Sequence, residues 1–277
     1  MSKIILCTSK QAKTPFVFLN TKVEIYTYEE LCFYIFNNTV LISKTTLSDK
    51  LVSWIREELG MDALADRLAG LLNKSVSAQD ILIEILTAGD YYSADEIHDY
   101  SAAWQKYRKF SPDHRLKLKA DAYLGYRRYI KAATLYDTIL DREEEIDDKV
   151  FIGNVLHNRA VAAANNLETD DAKAFFLRAY SMNGNEESLR EYFYMIAVTS
   201  DTATLRSEIR QHGLDDEFFE TIMSEIGDSK DDVREMTIFT MLQRAVYNRL
   251  NKNMTDYDKR MDIILGELKD DFREQAI

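Results

Sequence analysis

Apolar residues recur along most of this chain at intervals of three and four, the spacing of one face of an α-helix. Leu51, Trp54, Ile55 and Leu59 form one such set, Met61, Leu64, Leu68, Leu71 and Leu72 a second, and Ile97, Tyr100, Trp104 and Tyr107 a third. Start signals sit in front of these runs. Thr27-Tyr-Glu-Glu30 and Ser93-Ala-Asp-Glu96 read as capping boxes, in which a hydroxyl and a carboxylate satisfy each other's end of the helix backbone. Ser77 caps a helix over 80–86, and Ser111 caps the next, with Pro112 at its first position. The pattern predicts helix pairs over 113–126 with 128–141, 149–165 with 170–182, and 186–199 with 202–212, closed by Gly213 as a C-cap. Helices over 215–226, 230–252 and 256–275 follow, with Ser229 and Thr255 as caps. Connections of two to six residues make neighbouring helices antiparallel.

The first 45 residues break this period. Residues 14–19 and 22–26 are rich in β-branched and aromatic side chains, and Asn20-Thr21 between them suits a tight turn. A hairpin or extended arm is expected there, with residues 4–6 as a candidate third strand. Two strands alone are marginal in water, so it must pack on the helices that follow. Composition agrees with a helical protein. Glycine is 9 and proline 2 of 277 residues, well below average usage, which argues against turn-rich β folds. The fold class expected is all-α, as an α-α superhelix, with a small N-terminal β or extended element. Its segments are an arm with a short helix at 1–45, a helical region at 46–111, a repeat region at 112–213 and C-terminal helices at 214–277.

Two segments superpose. In 128–140 and 168–180, alanine is followed by an aromatic residue four later and a further residue three after that: Ala132, Tyr136 and Ile139, then Ala172, Phe176 and Ala179. The small residue lets two helices approach and the aromatic fills the groove beside it. Twelve residues earlier lie Ala120 and Ala160, with Tyr123 and Ala163 three beyond, and Leu116 and Leu156 at an early bulky position. This pattern resembles the tetratricopeptide repeat, over about 100 residues if 186–212 is counted as a degenerate third copy. The copies are 40 residues apart, so the acidic loop 141–148 absorbs an insertion, and the proline that usually follows the second helix is absent from both. The whole chain is also similar to an uncharacterised family of clostridial-type Firmicutes proteins, through residues 25–38, 54–60 and 156–160. That resemblance implies a bacterial, cytoplasmic origin and brings no activity.

The tetratricopeptide resemblance implies a concave face, lined by the first helix of each pair, on which a peptide lies. Some members clamp a C-terminal carboxylate there. Lys117 and Asn158 fall at two of the five clamp positions, whereas Asp121, Ser188 and Tyr192 occupy the others, and an acid at Asp121 repels a carboxylate. A groove lined by Lys117, Tyr123, Arg127, Asn158, Arg190 and Tyr194 is what remains.

Charge changes the picture in two ways. Lys plus Arg is 35 and Asp plus Glu 47, a net charge of −12, which argues against nucleic acid and an anionic membrane. Against that balance, residues 106–131 carry nine basic and two acidic residues with tyrosines interleaved. They read as a solvated face balanced by the acidic 141–148 run, or as a funnel for an acidic peptide. No phosphate-binding glycine loop, zinc pattern or nucleophile elbow is present, and the four histidines have no partner at helical spacing. No catalytic residue, cofactor or metal is expected. Pairs such as Asp170-Asp171, Asp215-Asp216 and Asp231-Asp232 read as acids at helix starts. Cys7 and Cys32 do not make a disulfide framework, and Cys32 among apolar neighbours reads as core. No apolar run is long enough to cross a membrane, and the first ten residues are too short in apolar stretch for a secretory signal.

Tyr192 to Met195 reads as core between helix pairs. Met236, Phe239, Leu242, Val246 and Leu250 form one late stripe, and Met261, Ile264, Leu265 and Leu268 another. They are read as capping the end of the helix stack, with a homodimer seam through 230–275 as the alternative. The function expected is a non-catalytic scaffold that binds a protein or peptide, with an acidic one as a candidate, on the concave face of the repeat helices. A peptide- or ligand-sensing regulator is the alternative, followed by a cryptic enzyme.

Overall fold

Residues 10–42, 46–74 and 76–276 are described by the computed structural model; Cys7 and the strand expected at 4–6 lie outside them. Among the described residues there are fourteen α-helices and one two-stranded sheet, so the chain is all-α with a small N-terminal β element. It divides into two compact units, one ending at Ala122 and the other beginning at Tyr123.

The first unit starts with the expected hairpin. Strand β1 (Phe16–Phe18) pairs antiparallel with β2 (Val23–Ile25), Phe16 opposite Ile25 and Phe18 opposite Val23. The turn is longer than Asn20-Thr21 alone: Lys22 takes a left-handed φ of 60° and donates its N–H to the Phe18 carbonyl at 2.7 Å. The hairpin is held by helices, as its size requires. Phe18 stacks on Tyr34 of α1 (Tyr28–Asn37), with centroids 3.6 Å apart. Trp54 of α2 (Asp49–Glu57) donates its indole N–H to the Thr14 carbonyl at 2.8 Å. The Glu58 carboxylate accepts the Lys13 and Thr14 N–H groups at 2.8 and 3.2 Å. The Thr27 box opens α1 and buries Cys32 in the core, where burial pushes its thiol up to about 12. Helices α3 (Asp62–Asn73), α4 (Ala78–Thr87) and α5 (Ala94–Lys109) follow, α4 capped by Ser77 and α5 by the Ser93 box.

Helix α6 (Pro112–Gly125) opens at Pro112, with the Ser111 hydroxyl accepting the His114 N–H at 3.2 Å, and the division between units falls inside it. The second unit continues through α7 (Tyr129–Leu140), α8 (Lys149–Asn165), α9 (Thr169–Asn183), α10 (Glu186–Thr199) and α11 (Thr202–Gln211). The residues that define the repeat are those that pack. Ala132, Tyr136, Ile139, Ala160, Ala163, Ala172, Phe176 and Ala179 are all buried. The backbone repeats with them. After α6, Arg127 is left-handed (φ 56°) and the Arg128 N–H reaches back to the Tyr123 carbonyl at 2.9 Å; after α8, Leu167 is left-handed (φ 63°) and the Glu168 N–H reaches the Ala163 carbonyl at 2.9 Å. The same five-residue return closes both helices, 40 residues apart. The turn between α10 and α11 differs: Asp201 caps α11 through the Thr204 N–H at 2.7 Å. Gly213, at φ 75°, turns the chain out of α11.

Two expected boundaries are wrong. Helix α12 (Asp216–Glu235) runs unbroken through Ser229, whose hydroxyl bonds back to the Glu225 carbonyl at 3.0 Å instead of capping a new helix. Asp231 and Asp232 therefore lie near the end of α12, not at a helix start, and Asp231 pairs with Arg234 at 2.6 Å. Helix α13 (Thr237–Leu250) follows at once. Helix α14 (Met254–Ala276) begins before Thr255, and the Asn253 side chain accepts the Asp256 N–H at 3.4 Å. Helix α14 packs along α13 and reaches back to α7.

Two outcomes follow from this packing. A Cβ on Gly153 of α8 would lie 2.6 Å from the side-chain amide of Asn183 at the end of α9, whereas one on Gly227 of α12 would meet nothing within 4 Å. Gly153→Ala should lower the thermal midpoint, because overpacking of about 1–3 kcal/mol outweighs the ~1 kcal/mol gained in helix propensity. Gly227→Ala should raise it, and thermal unfolding of both reads the difference. The backbone N–H groups of Lys13 and Thr14 hold the Glu58 carboxyl below its usual range. Its contribution is thus full above the ordinary carboxylate pKa and lost as pH falls through the lower folded value. The Lys13 and Thr14 amide resonances should move only in that acid window, and Glu58→Gln should abolish the movement.

Candidate functional site

Helix α10 carries a short aromatic run, and its period decides which side chains face where. Tyr192 and Phe193 are buried, the latter fully, in a cluster with Phe176, Leu189, Ile196, Leu205, Phe219 and Ile222. Burial, and then Glu208, whose carboxylate accepts the Tyr192 hydroxyl at 3.2 Å, push the Tyr192 pKa up. Tyr194 packs against the edge of that cluster and stays partly exposed. Its hydroxyl accepts from the Arg190 Nε at 2.8 Å and donates to the Glu225 carboxylate. Arg190 also pairs directly with Glu225, closing a three-residue bridge between α10 and α12.

Beyond that bridge lies a cleft of 610 Å³ between α10, α12 and α13, lined by Tyr194, Val198, Glu225, Ile226, Ser229, Lys230, Val233, Arg234 and Phe239. Its lining is apolar where Val198, Ile226, Val233 and Phe239 meet, with ionic groups at Glu225, Lys230 and Arg234. This is the usual composition of a binding cleft: an apolar body with a few polar groups that orient an occupant.

Of the six residues expected to line a groove, the structure brings Arg190 and Tyr194 together. Tyr123 is buried. Arg127 is exposed in the turn after α6. Lys117 pairs with Asp121 one helical turn away, at 2.7 Å, so the acid expected to repel a carboxylate neutralises the lysine instead. Asn158 is half-buried on α8. The acidic loop does not simply balance the basic run: its Glu143 pairs with Arg178 of α9.

Glu225, Val198, Val233 and Phe239 were missed. The signal was available for one of them, Val233. Ile222, Ile226 and Val233 continue one apolar period across Ser229, so reading Ser229 as a cap broke the helix that builds the cleft wall. Also unforeseen is a hydrogen bond between His157 Nδ1 of α8 and the Ser188 hydroxyl of α10 at 2.9 Å. Ser188 is fully buried, so this hydroxyl ties two helices and faces no substrate space. Among the described residues, no group of three or more His, Cys, Asp or Glu is placed to hold a metal ion, and no helix is long and apolar enough to cross a membrane.

The Arg190 and Glu225 side chains are 38% and 37% exposed, so solvent screens their pairing. A double-mutant cycle with Arg190→Met and Glu225→Gln, read by denaturant unfolding, should give a coupling of about 1 kcal/mol or less. A coupling several times larger would mean the bridge is a structural clamp and not a surface feature open to a ligand. No protein-family model matches the chain, and neither a curated protein nor a solved structure does.

Proposed function

We propose that this chain is a non-catalytic interaction module that holds a peptide segment of another protein in the cleft between α10, α12 and α13. The observation that carries the reading is the cleft itself: an apolar wall open to solvent beside fixed ionic groups. Val198 supports it most, because it lines the cleft and is 65% exposed, an expense in water that a bound segment would relieve. Exposed Lys230 favours an occupant with an acidic side chain beside its apolar anchors, whereas Arg234 is paired with Asp231. Buried alanines at matching positions, Ala120 and Ala160 and then Ala132 and Ala172, support reading 112–213 as tetratricopeptide-like helix pairs.

Selection from a displayed peptide library on the full chain tests this. Peptides combining apolar anchors with acids should be enriched. Val198→Asp, which alters an exposed position, should weaken them by about tenfold or more, equivalent to 1.4 kcal/mol. Failure to enrich any peptide, or undiminished binding to Val198→Asp, would overturn the reading.

A further inference from the structure

Helix α13 is apolar on two faces. Ile238, Met241 and Ala245 lie on one side, half-buried to buried within the chain. The other side carries Met236 just ahead of the helix, then Phe239, Leu242, Val246, Tyr247 and Leu250. Of these only Phe239 is partly covered, while Leu242 is 39%, Val246 47%, Tyr247 67% and Leu250 77% exposed. At 100° per residue these side chains fall within an arc of about 140°. Gln243 is the only other residue in that arc, so no charge interrupts it. A helix that is apolar on both sides belongs in an interior, yet a single chain covers one side of α13. The capping role read from sequence is thus not met by this stripe, which stays in solvent.

We infer that the stripe is the seam of a homodimer, formed by antiparallel packing of α13 on α13 of a second copy. Three physical arguments select a second copy. The stripe is self-complementary over most of its length: a two-fold axis between Arg244 and Ala245 sets Phe239 against Leu250 and Leu242 against Tyr247, with Gln243 against Val246 at the centre and Met236 opposite Asn253 at the ends. The seam is neutral. Two molecules of net charge −12 repel, and a face that desolvates no carboxylate is where they can meet. The area fits a weak association. At on the order of 150 Å² for a fully exposed large side chain, the exposed parts of Met236, Leu242, Val246, Tyr247 and Leu250 amount to roughly 400 Å² per copy, about 800 Å² for the pair, less than a stable dimer buries and the size of a contact that forms only as concentration rises. Antiparallel packing also opposes the two helix dipoles. Seam and cleft share Phe239, and Val246 and Leu250, which do not line the cleft, tell dimer formation from peptide binding.

Sedimentation velocity of the full chain, from low concentration to about 100 µM, tests it. The wild type should approach twice the chain mass as concentration rises. Val246→Glu and Leu250→Lys should each remain at the monomer mass with unchanged helical circular dichroism. Leu250 is so exposed that its substitution cannot unfold the chain, which keeps the test decisive if Val246→Glu fails to fold. A wild type that stays monomeric throughout, or a Leu250→Lys variant that dimerises as the wild type does, would overturn the inference.

Discussion

The second unit rests on how closely α8 and α9 approach. Gly153 meets Asn183, and Ala160, Ala163, Ala172 and Ala179 are fully buried, so no long side chain holds the two backbones apart. Small residues give dispersion contacts between backbones instead of between side-chain tips, and they fix the crossing of the pair. Neighbouring helices take their places from it. Helix α7 packs on α8 and α10 on α9. Phe176 fills the space beside the pair and meets the edge of His157, whose Nδ1 holds Ser188 at the start of α10. One cleft wall, α10, thus rests directly on α9, and α12 packs on α10 in turn.

Much of this was legible from sequence where local chemistry decides. Both capping boxes, the Ser77 cap and the Ser111-Pro112 start act within four residues and depend on few neighbours. The alanine–aromatic pairs were legible because two copies repeat the same packing problem. The turns after α6 and α8 were not, since arginine and leucine occupy left-handed positions where glycine would have announced them. Their conformation comes from the five-residue return bond, not from residue preference. Ser229 misled for a related reason: a serine hydroxyl serves equally as a cap or as a back-bond inside a helix, and only the continuing apolar period tells them apart.

The site was half legible. Arg190 and Tyr194 are four apart on one helix, and sequence places them together without help. Their partner Glu225 lies 31 residues beyond Tyr194 across a helix boundary, so only tertiary packing could supply it. The proposed groove across Lys117, Asn158 and Arg190 assumed an array of first helices. The structure instead pairs Lys117 with its own helix and gathers the apolar surface farther along, at α10, α12 and α13. Exposure turned out to be the informative quantity: spacing alone marks Leu242, Val246 and Leu250 as a helix face, and does not say whether this chain covers it.

If the α8–α9 contact organises the second unit, opening should begin far from it. Residue-resolved native-state hydrogen exchange reads this directly. The account predicts that buried amides of α8 and α9 exchange only with global unfolding, while those of α13 and α14 exchange through smaller openings. Amides of α8 and α9 that exchange as readily as those of α13 and α14 would contradict it.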